Sequence, residues 1–188
     1  VDMMTLNAAK CYGPKQVGLL YCRSGIELDP IVVGGGQENG LRSGTENIAG
    51  IVGFAEALRL STAARKEEAH RLAGLRNRLQ SRLEESIEGL VVNGHARQHS
   101  PHILHISVCG IDGERVVYGA DEKGVMIATG SACSANHNLG SPVLTALGMS
   151  REMIDGSLRI SLGRQTTQAD IDVAARVISD VIARELRV

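Results

Sequence analysis

The chain has 188 residues, enough for one domain or two small ones, and its 43% hydrophobic and 22% charged residues exclude a disordered chain. Twenty Lys and Arg against 21 Asp and Glu give a net charge of −1, so no global positive field holds nucleic acid or an anionic membrane. No apolar run nears the roughly 18 residues of a membrane span, and three Tyr, one Phe and no Trp leave few rings to stack on bases.

The chain opens at Val1, not Met, inside what reads as a strand, as expected of a piece of something longer. After the turn Gly13-Pro14, Val17–Cys22 (VGLLYC) reads as a strand, and a glycine-rich loop follows at Gly34–Gly40. From about Glu46 to Ile87 the pattern turns helical. Ile48, Ile51, Val52, Ala55 and Leu58 mark one stripe; Leu72, Leu75, Leu79, Leu83 and Ile87 mark a second. The polar stretch Ser61–His70 between them predicts a kink or break joining two structural regions. Strands are expected at Leu90–Val92, Ile103–Val108 and Val125–Ala128, with a helix capped by Asp112 running to Lys123 and Gly124 just past its end. Ser141-Pro142 opens another helix that Gly148 ends. Leu158–Ser161 reads as a strand with Leu158 and Ile160 on one face and Arg159 on the other. Thr167-Gln-Ala-Asp170 resembles a capping box for a last helix striped by Ile171, Ala174, Ile178 and Ile182. From residue 90 onward the order is that of an α/β unit of three or four strands.

Cys11, Cys22, Cys109 and Cys133 form no C-x-x-C pair and no disulfide framework. His95, His99, His102 and His105 lie close together without a cysteine pair and read as loop and strand histidines, so no metal is expected. With no signal-like start either, reduced thiols in a cytoplasm are the expectation.

Four segments carry chemistry. In Asn7–Lys15 (NAAKCYGPK), Lys10 precedes a turn and a strand, where a scaffold holds an amine for reaction with a carbonyl; a solvated loop lysine has the same spacing. In Gly34–Asn47 (GGGQENGLRSGTEN), glycines let amides converge on an anion, and Arg42, Ser43 and Thr45 add a charge and two hydroxyls before a helix start; a flexible loop with a capped helix fits too. In Thr129–Ala135 (TGSACSA), small residues surround Cys133, which is either an accessible nucleophile or a small buried hydrophobe. In Ser157–Arg164 (SLRISLGR), Arg159 sits among apolar neighbours, placed for a carboxylate or for a structural acid.

Taken together and in order, NAAKCYGPKQVG, GGGQENGLRSGTEN, PHILHIS, DEKGVMIATGSACSA and SLRISLGRQTT resemble the C-terminal half of a cysteine desulfurase of the NifS/IscS type, in the class V aminotransferase family of pyridoxal-phosphate enzymes. The likeness runs nearly end to end, and the spacing from Cys133 to Leu147-Gly148 is similar to the subgroup with the longer catalytic loop. It implies an α/β fold, the C-terminal part of a fold-type I enzyme: residues 1–60 as the end of the large cofactor domain, and 61–188 as the linking helix and small domain. It also implies that Lys10 is the Schiff-base lysine and that Asn7 and Thr45 bind the cofactor, Thr45 through the phosphate of the partner subunit in a homodimer. Cys133 then forms the persulfide and Arg159 grips the substrate carboxylate. The implied reaction takes sulfur from L-cysteine, leaves L-alanine and passes sulfur to an iron–sulfur scaffold or a tRNA-thiolation protein.

Two departures stand out. The family usually has Ser at Asn7 and His at Ala9; Asn7 still donates a hydrogen bond, whereas Ala9 does not. The acid for the pyridine nitrogen and the histidine stacked on the ring have no counterpart in these residues, so the chain alone is expected to be inactive. Two alternatives accompany this reading: a non-catalytic module for dimerisation or acceptor docking, and a selenocysteine lyase or other class V lyase.

Overall fold

The computed structural model describes residues 1–130 and 141–187. They divide into two compact units, Val1–Lys66 and Glu67–Val188.

In the first unit, β1 (Met3–Asn7) and β2 (Gly18–Cys22) pair antiparallel, Met3 opposite Cys22 and Asn7 opposite Gly18. A 3-10 turn, Ala8–Cys11, links them and is stopped by Tyr12 in the left-handed region at φ 61°. Ala8 is fully buried; its amide donates to the Val17 carbonyl at 3.0 Å, and its carbonyl accepts from Gly13 at 2.9 Å. Beyond the glycine-rich loop, the long helix α1 (Ile48–Ser86) begins where the Asn47 side chain accepts from the Gly50 amide. Its first turns present Gly50 to Val17, Gly53 to Pro14 and Ala57 to Gly13. A Cβ at Gly50 would run into the Val17 side chain, and one at Gly53 would lie 2.7 Å from Pro14 Cγ. Glycine at positions 50 and 53 lets the Pro14–Val17 turn lie this close.

The second unit is built on a three-stranded antiparallel sheet in the order β3 (Val91–Val92), β4 (Ile103–Ser107), β5 (Ser157–Ser161). Alternation sorts its faces. Leu104, Ile106, Leu158 and Ile160 are buried in one cluster with Leu79 and Leu83 of α1 and with Ile178 and Ile182 of the last helix, α5 (Gln168–Glu185). His105, Ser107, Ser157 and Arg159 take the other face. The helix α2 (Gly113–Asp121) is capped by Asp112, and two short helices, α3 (Pro142–Ala146) and α4 (Arg151–Asp155), precede β5. Arg78 and Arg82 of α1 pair with Asp172 of α5 at 2.8 and 3.1 Å, and the hydrogen bond from Arg78 holds that carboxyl below the usual aspartate range.

Three details differ from the sequence expectations. α1 runs for 39 residues with no break at Ser61–His70, because that stretch contains neither Gly nor Pro and polarity alone does not stop a helix. Val125–Ala128 is no regular strand. The Val125 amide closes the end of α2 on the Ala120 carbonyl, past Gly124 at φ +78°, and only Ala128 bridges to Arg159. The helix α4 carried no sequence expectation at all. The capping box at Thr167 and Asp170 is present with both of its reciprocal hydrogen bonds.

Candidate functional site

Lys10 lies in the first unit, third in the Ala8–Cys11 turn. The turn is rigid for local reasons: Asn7 caps it, its Oδ1 accepting from the Ala9 amide at 2.9 Å, and buried Ala8 pins it to Val17. The Lys10 side chain projects into solvent, and no carboxylate pairs with it among the described residues. Asn7 spends its oxygen on the cap, which leaves its amide nitrogen as a donor.

In the glycine-rich loop the three polar residues have different tasks. Ser43 is buried and donates to the Gly35 carbonyl at 2.7 Å, and Arg42 donates to the Ser43 carbonyl at 2.9 Å. Both hold the loop. Thr45 is exposed, with its hydroxyl open to a ligand. An exposed amine on a fixed turn and a spare amide donor beside it fit an aldehyde-bearing, phosphorylated cofactor.

Arg159 lies in the second unit, on the polar face of the sheet. It lines a cavity of about 340 Å³ together with Asn93, His105, Gly130, Ser141 and Leu144. One guanidinium nitrogen donates to the Gly130 carbonyl at 3.0 Å, and no acid pairs with Arg159 among the described residues. The structural acid that was the alternative for Arg159 is not found among the described residues. Directly across the ladder, His105 is the register partner of Arg159. Burial, and then the Arg159 charge, hold its imidazole below the ordinary histidine range. Asn93 completes the row, its amide nitrogen 2.8 Å from both His105 Nδ1 and Ser107 Oγ.

The structure thus groups Asn7 with Lys10 on one turn and gives Arg159 companions that the sequence reading left out, Asn93 and His105. The signal for His105 was the alternation of Ile103–Ser107, which puts His105 and Ser107 on the same face. Its pairing with Arg159 needed the register. Cys133 lies outside the described residues. Among the described residues no cluster of three or more His, Cys, Asp or Glu forms, and no helix is long and apolar enough to cross a membrane.

A solved NifS-like protein matches this architecture with a TM-score of 0.87 at 32% identity, over 98% of this chain and 47% of that one. The fold is accordingly the α/β fold of the fold-type I pyridoxal-phosphate enzymes. The sequence model of the aminotransferase class-V family matches residues 1–173, and the chain belongs to that family. Among curated relatives, cysteine desulfurase IscS 1 of Archaeoglobus fulgidus is 42% identical over 183 residues, which cover 97% of this chain and 48% of that protein. Cysteine desulfurase IscS of Dictyoglomus turgidum is 37% identical over 184 residues, 98% of this chain and 47% of that protein. The chain spans about half the length of the curated relatives it matches.

Proposed function

We propose that these residues serve a pyridoxal-phosphate-dependent cysteine desulfurase, which converts L-cysteine to L-alanine and carries the sulfur as a persulfide on Cys133. The observation that carries this reading is Arg159: a guanidinium on the polar face of a sheet, free of any acid among the described residues and lining a cavity of small-molecule size. In this reading residues 1–60 belong to the cofactor domain and 61–188 to the linking helix and small domain. Lys10 and Asn7 hold the cofactor, and Thr45 reaches the cofactor phosphate of a partner subunit in a homodimer. When bound, pyridoxal phosphate supplies an electron sink for the pair released at the substrate α-carbon.

The chain's own residues do the rest. Arg159 fixes the substrate carboxylate in bidentate fashion, and the Lys10 amine takes the α-proton. Cys133, as thiolate, attacks the substrate sulfur. The new S–S bond forms as the C–S bond breaks, the electron pair goes to the β-carbon, and protonation there together with return of the α-proton from Lys10 gives alanine. The small residues around Cys133 in sequence suit a thiol that must then hand its sulfur to an acceptor, an iron–sulfur scaffold or a tRNA-thiolation protein in a reducing cytoplasm. Alone, the chain turns over no cysteine, because the acid and the stacking histidine of the family have no counterpart in it.

The test is a chimera in which this chain replaces the half of the Archaeoglobus fulgidus protein that it matches. The chimera is expected to release alanine from L-cysteine in the presence of pyridoxal phosphate. Cys133→Ala should cut alanine formation on the order of a thousandfold, and Arg159→Ala should raise KM at least about tenfold, the worth of a charge-assisted pair. Cofactor-loaded chimera without alanine release, or a Cys133→Ala chimera that keeps it, would sink the proposal.

A further inference from the structure

We infer that His105 is a second ligand-binding residue of the Arg159 cavity, donating from Nε2–H to the same small carboxylate that the guanidinium holds. The inference rests on the reading of Arg159 as the substrate-carboxylate residue and extends it to a residue whose role nothing else assigns.

Three observations converge on it. The first is register. His105 and Arg159 are direct partners across the β4–β5 ladder, so their side chains leave the same face with Cβ atoms about 5 Å apart. The second is direction. Arg159 donates to the Gly130 carbonyl at 3.0 Å, and a Cβ built on Gly130 would lie 3.5 Å from His105 Nε2. Both donors therefore meet at one residue on the cavity wall. The third is the position of the imidazole proton. Asn93 places its amide nitrogen 2.8 Å from His105 Nδ1 and 2.8 Å from Ser107 Oγ, so its two protons serve those two acceptors. With Nδ1 accepting, the proton of the neutral ring sits on Nε2, the nitrogen on the side of Gly130.

The electrostatics agree. Burial and the neighbouring Arg159 charge keep the imidazole neutral at neutral pH, so His105 adds a donor without a second confined charge. One cation, one neutral donor and no acid among the described lining residues suit a monoanion. A carboxylate, with two oxygens able to take one donor each, matches this pair.

The experiment uses the 188-residue chain labelled with ¹⁵N, and L-alanine as the probe, with L-alaninamide as the control that lacks a carboxylate. Before any ligand is added, the imidazole ¹⁵N spectrum is expected to show His105 protonated at Nε2 and bare at Nδ1. L-Alanine should shift the His105 Nε2 and Arg159 Nε resonances with one common Kd, and L-alaninamide should shift neither. His105→Leu should weaken L-alanine binding about tenfold, the loss of one hydrogen bond to a charged group. His105→Gln, whose amide nitrogen reaches the place of Nε2, should restore it to within about threefold of the parent chain. Unchanged β4 and β5 amide resonances certify each variant as folded. A proton found on Nδ1, an Arg159 resonance that shifts while His105 stays silent, or a folded His105→Leu that binds like the parent would each overturn the inference and leave the Arg159 reading standing. If neither residue responds, the Arg159 reading fails and takes the inference with it.

Discussion

Gly53 and Gly74 sit on the same helix, yet a methyl group added at each meets different surroundings. At Gly53 it lies 2.7 Å from Pro14 Cγ, a ring that cannot swing away; at Gly74 nothing stands within 4 Å. Alanine gains up to about 1 kcal/mol over glycine inside a helix, whereas forcing an atom into packed surroundings costs about 1–3 kcal/mol. The second effect wins at Gly53 and is missing at Gly74. Gly53→Ala should therefore destabilise the first unit by roughly 1–2 kcal/mol, and Gly74→Ala should stabilise the second by about 0.5–1 kcal/mol. Hydrogen exchange of the hairpin and of the sheet, read separately, measures both; the same sign at the two positions would refute the packing account. At this scale the sequence was informative for residues whose chemistry is local. Lys10 before a turn and Arg159 among apolar neighbours could be picked out as they stand. His105 could not, because its meaning comes from strands more than fifty residues apart in sequence that pair in one particular register.

The elements were legible where their signals are short-range. Capping residues at Asp112, Ser141 and Thr167 each mark a helix start that the structure has. α1 has no break at Ser61–His70, yet the boundary between the two units falls inside that stretch, after Lys66. Ser61–His70 is polar, but every residue in it tolerates helical geometry, so the helix continues. Just past that stretch, Arg71 shows what a polar position on such a helix can do. Its guanidinium pairs with Glu68 at 2.7 Å and donates to the carbonyls of Thr166, Gly163 and Arg164 at 2.7, 3.1 and 3.2 Å. These three carbonyls belong to the segment joining β5 to α5, so one side chain fixes the connection. Arg71→Ala should destabilise the second unit by about 1–2 kcal/mol, discounted for a side chain more than a third exposed. Arg71→Lys should recover little, since an ammonium lacks the planar fork that reaches several acceptors. Arg59→Ala, which removes an exposed pair with Glu56, should change stability by less than about 0.5 kcal/mol. Urea titrations of the three variants rank them, and an Arg71→Ala midpoint equal to that of Arg59→Ala would remove the clamp from the account.

Across the whole molecule, the two units differ in how much apolar surface they bury. Among the described residues the core of the second unit gathers 17 buried side chains, Leu79, Leu104, Leu158 and Ile178 among them, whereas that of the first holds Ala8, Val17 and Phe54. Each fully buried Leu or Ile contributes about 1.5–3 kcal/mol, so the difference far exceeds the uncertainty in any single contact. The hairpin of the first unit also leaves Met3, Met4, Leu19, Leu20 and Tyr21 exposed, and a two-stranded hairpin is marginal on its own in water. The sequence showed an α/β order from residue 90 onward but did not show this imbalance, since the apolar residues of β1 and β2 look like core residues until their exposure is measured. The consequence is a chain that does not unfold as one unit. On raising urea, the β1–β2 amides should lose protection first, and in native buffer they should exchange at least about a hundredfold faster than those of β4 and β5. Far-UV circular dichroism should show a second, later transition as the sheet and α5 are lost. One coincident transition, with the hairpin as protected as the sheet, would mean that the exposed apolar face of the first unit is covered in solution and that its small core is not what sets its stability.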